Sequence, residues 1–241
     1  MDESRFEKFD KGLEELGIEL CDAQREQFLL YYERLVEWNE RMNLTAITEW
    51  EDVVTKHFLD SLCLVKAVPD LKEQRLLDLG TGAGFPGIPL KIAFPELSVV
   101  LMDSVGKKLA FLDAVIGELG LADITTVHGR AEDLAHEQAY RQRFDLCVSR
   151  AVAKLAVLAE YGLPFVRIGG LFVAYKSADV EAECARAKAA VFLLGGAAER
   201  VVTYTLPGAG DARSLVCLDK KEGSPQAYPR KAGTPARNPL S

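Results

Sequence analysis

Cysteine is scarce and scattered in this chain: Cys21, Cys63, Cys147, Cys184 and Cys217 are odd in number and contain no CxxC pair. Only three histidines accompany them, His57, His128 and His136, and these form no ligand cluster in the sequence. That pattern excludes a disulfide framework and a structural zinc, and no metal is expected. Most of the cysteines should be small buried apolar residues. No apolar run approaches the roughly 20 residues that a membrane-spanning helix needs. The N-terminal MDESRFEKFDKG is charged and lacks the apolar stretch of a secretory signal. The expectation is a cytoplasmic protein with no membrane partner.

What is present is ordinary for a soluble globular protein: 241 residues, 49% hydrophobic and 27% charged. This composition excludes a disordered chain, a collagen-like repeat and a coiled coil, and the length suits one large domain, alone or extended. The net charge of −7 argues against a nucleic-acid partner until it is divided along the chain. Residues 1–75 hold 18 acids and 10 bases, a net −8, and the rest holds 18 acids and 19 bases, a net +1. The acidity belongs to the N-terminal third, which leaves the remainder free to present a basic face.

Residues 3–67 read as helices. From Asp22 to Arg41, residues such as Phe28, Leu29, Tyr32, Leu35, Val36 and Trp38 recur at helical spacing. Glu49 to Val68 repeats the pattern, with Val53, Val54, Phe58, Leu62 and Val65 on one side. WNERMNLTAIT between them is a helix end and loop. From Arg75 onward, short apolar strands at 76–80, 98–103, 124–129, 144–149 and 170–175 alternate with helices at 86–94, 107–119, 152–167 and 179–194. Such alternation predicts βαβ units and a parallel sheet. Strands 199–206 and 213–219 are separated only by PGAGDA, too short for a crossover, and should form an antiparallel hairpin. The expected organisation is a helical extension (1–69), a Rossmann-like α/β domain (70–227) and a basic tail (228–241). The tail YPRKAGTPARNPL holds Arg230, Lys231 and Arg237 with no acid, and reads as an extended segment rather than a helix. Residues 133–143 read as a polar loop.

The chemistry centres on LLDLGTGAGFPG, residues 76–87. An apolar strand runs into a glycine-rich turn, whose backbone can adopt positive φ and approach a ligand closely. Pro86 suits the first turn of the helix after it. The result is a shelf at the carboxyl end of the first strand, where doubly wound sheets bind nucleotides. Gly82 to Gly87 also match the G-x-G-x-x-G dinucleotide pattern, which is weak alone. Asp103, ending the second strand, could hold the ribose of NAD or of S-adenosylmethionine. Three details favour S-adenosylmethionine. Asp78 stands by the turn, suited to a cationic amino group and repulsive to a pyrophosphate. The glycines begin early, at Gly80, and the sheet closes with an antiparallel hairpin.

WNERMNLTAIT, HFLDSL, DLGTGAGFPGIPL, GRAED, VSRAV and YPRKAGTPARNPL together resemble the signature segments of a bacterial methyltransferase family. It is the small-subunit ribosomal RNA guanine-N7 methyltransferase G family, also called glucose-inhibited division protein B. The resemblance runs from about Trp38 to the C-terminus, in the same order. It implies transfer of a methyl group from S-adenosylmethionine to guanine N7 in small-subunit (16S) ribosomal RNA, free or in an assembling subunit. It also implies that Gly80, Phe85, Ala131, Glu132 and Arg150 hold the cofactor. Phe85 is expected to pack on it, and Ala131 and Glu132 to frame its adenine.

Guanine N7 carries a lone pair and no proton, so methylation needs no general base and should rest on alignment and proximity. A carboxylate or aromatic face would favour the positive charge that the purine gains. The motifs of other base methylations are missing: there is no Pro-Cys dipeptide and no (Asp/Asn)-Pro-Pro-aromatic segment. Arg150 is the candidate catalytic group, binding cofactor and facing the base. Its alternative is a surface arginine capping a strand end. Lys176, Arg230, Lys231 and Arg237 are expected on an RNA path, whereas Lys107 and Lys108 read as solvated. His57 and Asp60 share a helix face and should bond the extension to the sheet, and Trp38 and Met42 should be core. Rival functions are methylation of another RNA or a small molecule, and cofactor binding without turnover. A monomer is expected.

Overall fold

Helical segments come first because the apolar residues of the first third repeat every three to four positions. The computed structural model describes residues 3–151 and 153–240. Val152, which ends VSRAV, and Ser241, which ends the basic tail, lie outside the described residues. A 3-10 turn (Glu3–Phe6) leads into α1 (Glu7–Leu16), and α2 (Asp22–Met42) comes next. Phe9 and Leu13 of α1 and Phe28, Tyr31 and Leu35 of α2 are buried. Asn43 ends α2 in the left-handed conformation. There the Asn39 Oδ1 accepts from Leu44 N and Thr45 N at 2.7 and 2.9 Å, which makes WNERMNLTAIT a helix end and loop.

The stretch expected as one helix over Glu49–Val68 is broken up. α3 (Trp50–Val53) widens into a π-turn (Val54–Leu59), then continues as a single α turn, α4 (Asp60–Leu62), and a 3-10 turn (Cys63–Lys66). A π-turn carries one extra residue per turn and so rotates the residues after it about the helix axis. Here it sets His57, Phe58 and Asp60 toward the sheet.

Seven strands complete the fold: β1 (Arg75–Leu79), β2 (Ser98–Asp103), β3 (Ile124–His128), β4 (Phe144–Ser149), β5 (Val166–Ser177), β6 (Gly196–Thr205) and β7 (Ala212–Lys220). Their order in the sheet is β3-β2-β1-β4-β5-β7-β6. The first five run parallel, and β7 pairs antiparallel with both β5 and β6, as the short PGAGDA link requires. The connecting helices are α5 (Gly87–Ala93), α6 (Gly106–Glu118), α7 (Ala131–Leu134), α8 (Leu155–Gly162) and α9 (Glu181–Leu193). The helix expected over 152–167 is shorter: α8 ends in a 3-10 turn (Leu163–Phe165) at Pro164, and β5 starts at Val166. The region expected to be a polar loop opens with α7. The tail, expected to be extended, contains one helical turn, α10 (Thr234–Arg237), with Pro235 in the first turn where its missing N–H goes unnoticed.

Successive strand residues point to opposite faces, and both faces are covered. Leu76, Val99, Leu101, Val148 and Val173 share one core with Phe9, Phe28, Tyr31 and Phe58 of the helical extension. Leu77, Val100, Met102, Cys147 and Phe172 share the other with Leu158 of α8 and Ala187 of α9. Residues 3–69 therefore cover one side of the sheet, and most of their buried apolar residues belong to that shared core. Trp38, expected in the core, is half-buried at its margin and packs on Phe111 of α6, ring centroids 5.6 Å apart. Cys63, Cys147, Cys184 and Cys217 are buried and Cys21 is exposed.

Candidate active site

β1 ends at the middle of the sheet, beside the gap between β1 and β4 where the strand order reverses, and its glycine loop is fastened from two sides. Gly80 N and Thr81 N donate to Met102 O at 2.9 and 3.1 Å. Asp103, at the end of β2, accepts from Gly82 N through Oδ2 and from Val105 N through Oδ1, each at 2.9 Å. Beneath the loop, Asp78 Oδ2 accepts from Thr81 Oγ1 at 2.6 Å and from Gly87 N at 2.8 Å. Its other oxygen, Oδ1, is buried with no hydrogen-bond partner among the described residues. Burial pushes the Asp78 carboxyl up to about 6, against the pull of the Thr81 and Gly87 hydrogen bonds and the Arg150 charge.

Gly84 closes the loop at φ +101, and an added Cβ would stand 2.6 Å from Ile88 Cδ1 and 2.7 Å from the Tyr31 hydroxyl. That hydroxyl donates to Ala83 O at 2.5 Å, so the loop rests on the helical extension. Gly84→Ala should destabilise the protein by ~1–3 kcal/mol through strain and overpacking. Urea unfolding checks it, and an unchanged midpoint would show that the loop gives way freely.

A cleft of about 240 Å³ opens above the loop, lined by Gly80, Asp103, Ala131, Glu132, Ser149 and Tyr161 among others. Four of the expected cofactor residues thus meet in one place. Glu132 is nearly buried, and it accepts from Gly233 N of the tail at 2.8 Å. Burial, reinforced by the Glu132 carboxylate, pushes the neighbouring Tyr161 hydroxyl up to about 12.

Phe85 departs from expectation. Its ring is 5% exposed and faces away from that cleft, stacked on His57 at 4.5 Å and close to Tyr31 at 5.4 Å. The Arg150 guanidinium lies over it, 5.1 Å from the centroid. An aromatic already sandwiched this way packs on the extension rather than on a ligand.

Arg150 comes just after β4 and reaches back to the extension instead of capping a strand end. Its Nη1 donates to Lys56 O at 3.0 Å and to Asp60 Oδ2 at 3.1 Å, and Nη2 lies 3.3 Å from His57 Nδ1. Burial and the Arg150 charge hold His57 down at about 3, leaving the imidazole neutral. Asp60 also receives the Tyr204 hydroxyl at 3.4 Å and faces Arg213 Nε at 3.9 Å. These residues open onto a second, wider cleft of about 760 Å³, lined by Asp60, Arg150, Lys154, Tyr175, Lys176 and Arg213. Ala151 and Ala153 line both clefts. Nothing local in the sequence marks Lys154 or Arg213 as site residues, and Asp60 reads there only as a bond to the sheet: the fold brings positions 60, 154 and 213 together.

The basic residues divide. Lys176 Nζ donates to Ala153 O at 2.5 Å and pairs with Glu183 at 2.8 Å, on the wall of the wide cleft. Lys107, Lys231 and Arg237 are exposed and Lys108 half-buried. Arg230 is a correction to the RNA path: its guanidinium grips the fully buried Glu160, Nε to Oε1 at 2.9 Å and Nη2 to Oε2 at 2.7 Å. A forked, charge-assisted pair of that kind is not free for a phosphate.

The sequence profile described as GidB, rRNA small subunit methyltransferase G, matches residues 24–214. The chain belongs to the rRNA small subunit methyltransferase G family. The protein of that name from Lachnoclostridium phytofermentans is 51% identical over 232 residues, covering 96% of each chain. The Brevibacillus brevis protein of the same name is 49% identical, covering 97% of this chain and 98% of its own. A crystal structure titled as a predicted O-methyltransferase from Agrobacterium tumefaciens superposes with a TM-score of 0.55 at 18% identity, over 68% of this chain and 82% of that one. It shares the Rossmann-like fold. The methyltransferase G family is an enzyme family, and the two clefts described above lie at the β1 and β4 ends. Among the described residues no group of three or more His, Cys, Asp or Glu converges as a metal site, and no helix is long and apolar enough to cross a membrane.

Proposed function

We propose that this chain moves the methyl group of S-adenosylmethionine to N7 of a guanine in small-subunit ribosomal RNA. The observation that carries the reading is the pair of adjoining clefts, one built on the glycine loop and one open and lined by four basic side chains. The residues present fit the methyl donor. Gly80 leaves its cleft open, since an added Cβ would meet only Ala151 Cβ, at 3.7 Å. Asp103 keeps unused lone pairs after its two backbone bonds, and Asp78 Oδ1 is an unpaired acceptor beneath the loop, suited to a cation. In this reading Gly80, Asp103, Ala131 and Glu132 hold the donor, which supplies an electrophilic methyl group when bound.

The rest of the reaction asks for orientation. Guanine N7 presents a lone pair and no proton to remove, and His57, held at about 3, is too weak a base to take one. Arg150, fixed by Asp60, Lys56 O and the Phe85 ring, lines the wide cleft next to Ala151, which lines both, and in this reading aligns the base with the donor. The Asp60 carboxylate lines the open cleft and would favour positive charge developing on the purine. A base in folded RNA must be splayed out to reach this depth. Lys154 and Arg213 on the cleft wall, with exposed Lys231 and Arg237, supply charge for its phosphates, and binding should weaken steeply with salt. The cytoplasm, where small subunits assemble, is the corresponding location.

The test is incubation with labelled S-adenosylmethionine and either naked small-subunit RNA or assembled particles, with subsequent mapping of the label. Label at guanine N7 of that RNA is the expected outcome. Label on another RNA or a small molecule, or none on any RNA form, overturns the reading.

A further inference from the structure

The tail motif YPRKAGTPARNPL reads from sequence as an RNA segment, yet most of its polar contacts are directed inward. Before it, Arg141 donates to Ser224 O at 2.8 Å, Pro225 O at 3.0 Å and Tyr228 O at 2.9 Å. His136 Nε2 lies 2.8 Å from Pro229 O. Arg230 then grips Glu160 of α8 by its guanidinium and also by its backbone N–H, at 2.8 Å. Its Nη2 also donates to Asn238 O at 2.8 Å, closing the tail into a loop. Inside that loop Gly233, at φ +79, donates its N–H to Glu132 Oε1. Tyr228 and Leu240 pack on the core that holds α8, and Pro235 is buried.

A tail that only presented charge would not need a fully buried carboxylate as its anchor, because an ion pair of that depth is costly unless every partner is satisfied. Nor would it need to end on a carboxylate of the glycine-loop cleft. A glutamate side chain has several rotatable bonds, and a hydrogen bond to one oxygen fixes its orientation and leaves the other oxygen for a ligand. We infer that the C-terminal segment is a strap that completes the methyl-donor site, with Arg230 as a positioning residue that acts through Gly233 N–H on Glu132. The inference rests on the proposal that Glu132 faces the donor. It assigns the tail a role that needs no RNA.

The experiment is calorimetric titration of S-adenosylhomocysteine into the RNA-free protein. Arg230→Ala alone would strand the Glu160 charge and risks unfolding, so two gentler variants are used. The double variant Glu160→Leu with Arg230→Met replaces the pair by apolar groups, and truncation after Lys231 keeps the pair but removes Gly233 and α10. Each should raise Kd about tenfold, the size of one lost hydrogen bond to a charged group, with circular dichroism unchanged. With saturating donor, the Glu160→Leu, Arg230→Met variant should hold kcat while its KM for the donor rises, a split that a merely structural strap would not produce. Parent-like affinity in both variants overturns the inference. Glu132→Ala separates the two levels: if it also binds as the parent does, the reading of Glu132 fails, and the strap inference falls with it. If Glu132→Ala binds weakly while both strap variants bind normally, the reading stands and only the strap is refuted.

Discussion

Gly80→Val should remove S-adenosylhomocysteine binding while leaving a folded protein. Gly80 sits at φ +74, where a β-branched residue is strained by ~1–3 kcal/mol. The backbone is held there by the Gly80 N–H bond to Met102 O. Space for a single Cβ exists, 3.7 Å from the nearest side-chain atom, so the fold has no clash to relieve. The two further methyl groups of valine have the cleft itself as their open volume. Affinity should fall at least about a hundredfold, equivalent to ~3 kcal/mol, and Gly80→Ala should fall between parent and valine. Calorimetry reads the affinity and a thermal melt reads the fold. A valine variant that binds as tightly as the parent would move the donor away from this loop.

The sheet is legible in the sequence because its strands obey two local rules. Residues of β1 and β2 that alternate along the chain, Leu76 against Leu77 and Val99 against Val100, separate onto the two cores. The hairpin of β6 and β7 is dictated by a six-residue link. The glycine loop and GRAED are legible because each directly follows a strand, β1 at Leu79 and β3 at His128. Features that depend on distance along the chain stay concealed. Arg150 finds its partners at Lys56, His57 and Asp60, some 90 positions earlier, where Lys56 and His57 lie in the π-turn over Val54–Leu59 and Asp60 follows it. Phe85 looks like a ligand platform by position, but Tyr31 and His57 occupy its ring from the extension. Arg230 looks like a phosphate contact because its neighbours in sequence are basic, and the buried Glu160 that claims it lies 70 residues away. Asp78 reads from sequence as a partner for a cation, and the structure shows its carboxylate bracing Thr81 and Gly87.

A brace that also faces the donor, as proposed, gives Asp78→Asn two effects of opposite sign. The folded protein holds a proton on Asp78 up to about pH 6, whereas the unfolded chain releases it near the ordinary 3.8. Between those values the native state binds more protons, so this residue's contribution to stability declines as pH rises through the window and stays low above it. Asparagine cannot ionise and can still accept from Thr81 and Gly87 through its amide oxygen. The variant should therefore match the parent near pH 4 and exceed it progressively to pH 7. The gain there approaches ~3 kcal/mol, the cost of ionising a group whose pKa is raised by about two units. Urea unfolding of both proteins from pH 4 to 7 measures the difference. Donor binding should move the other way. In the proposed reading S-adenosylmethionine brings a sulfonium and an ammonium near the glycine loop, beneath which Asp78 Oδ1 is buried with no hydrogen-bond partner among the described residues. Its affinity should drop about tenfold or more in Asp78→Asn, and in the parent it should weaken below pH 6 as Asp78 takes up its proton. S-adenosylhomocysteine, which lacks the sulfonium charge, should lose less. A variant more stable at pH 7 yet unchanged toward both ligands would leave Asp78 as a brace of the loop only. A variant equal in stability at every pH would mean that the buried carboxylate finds compensation elsewhere, and the expected rise to about 6 would be wrong.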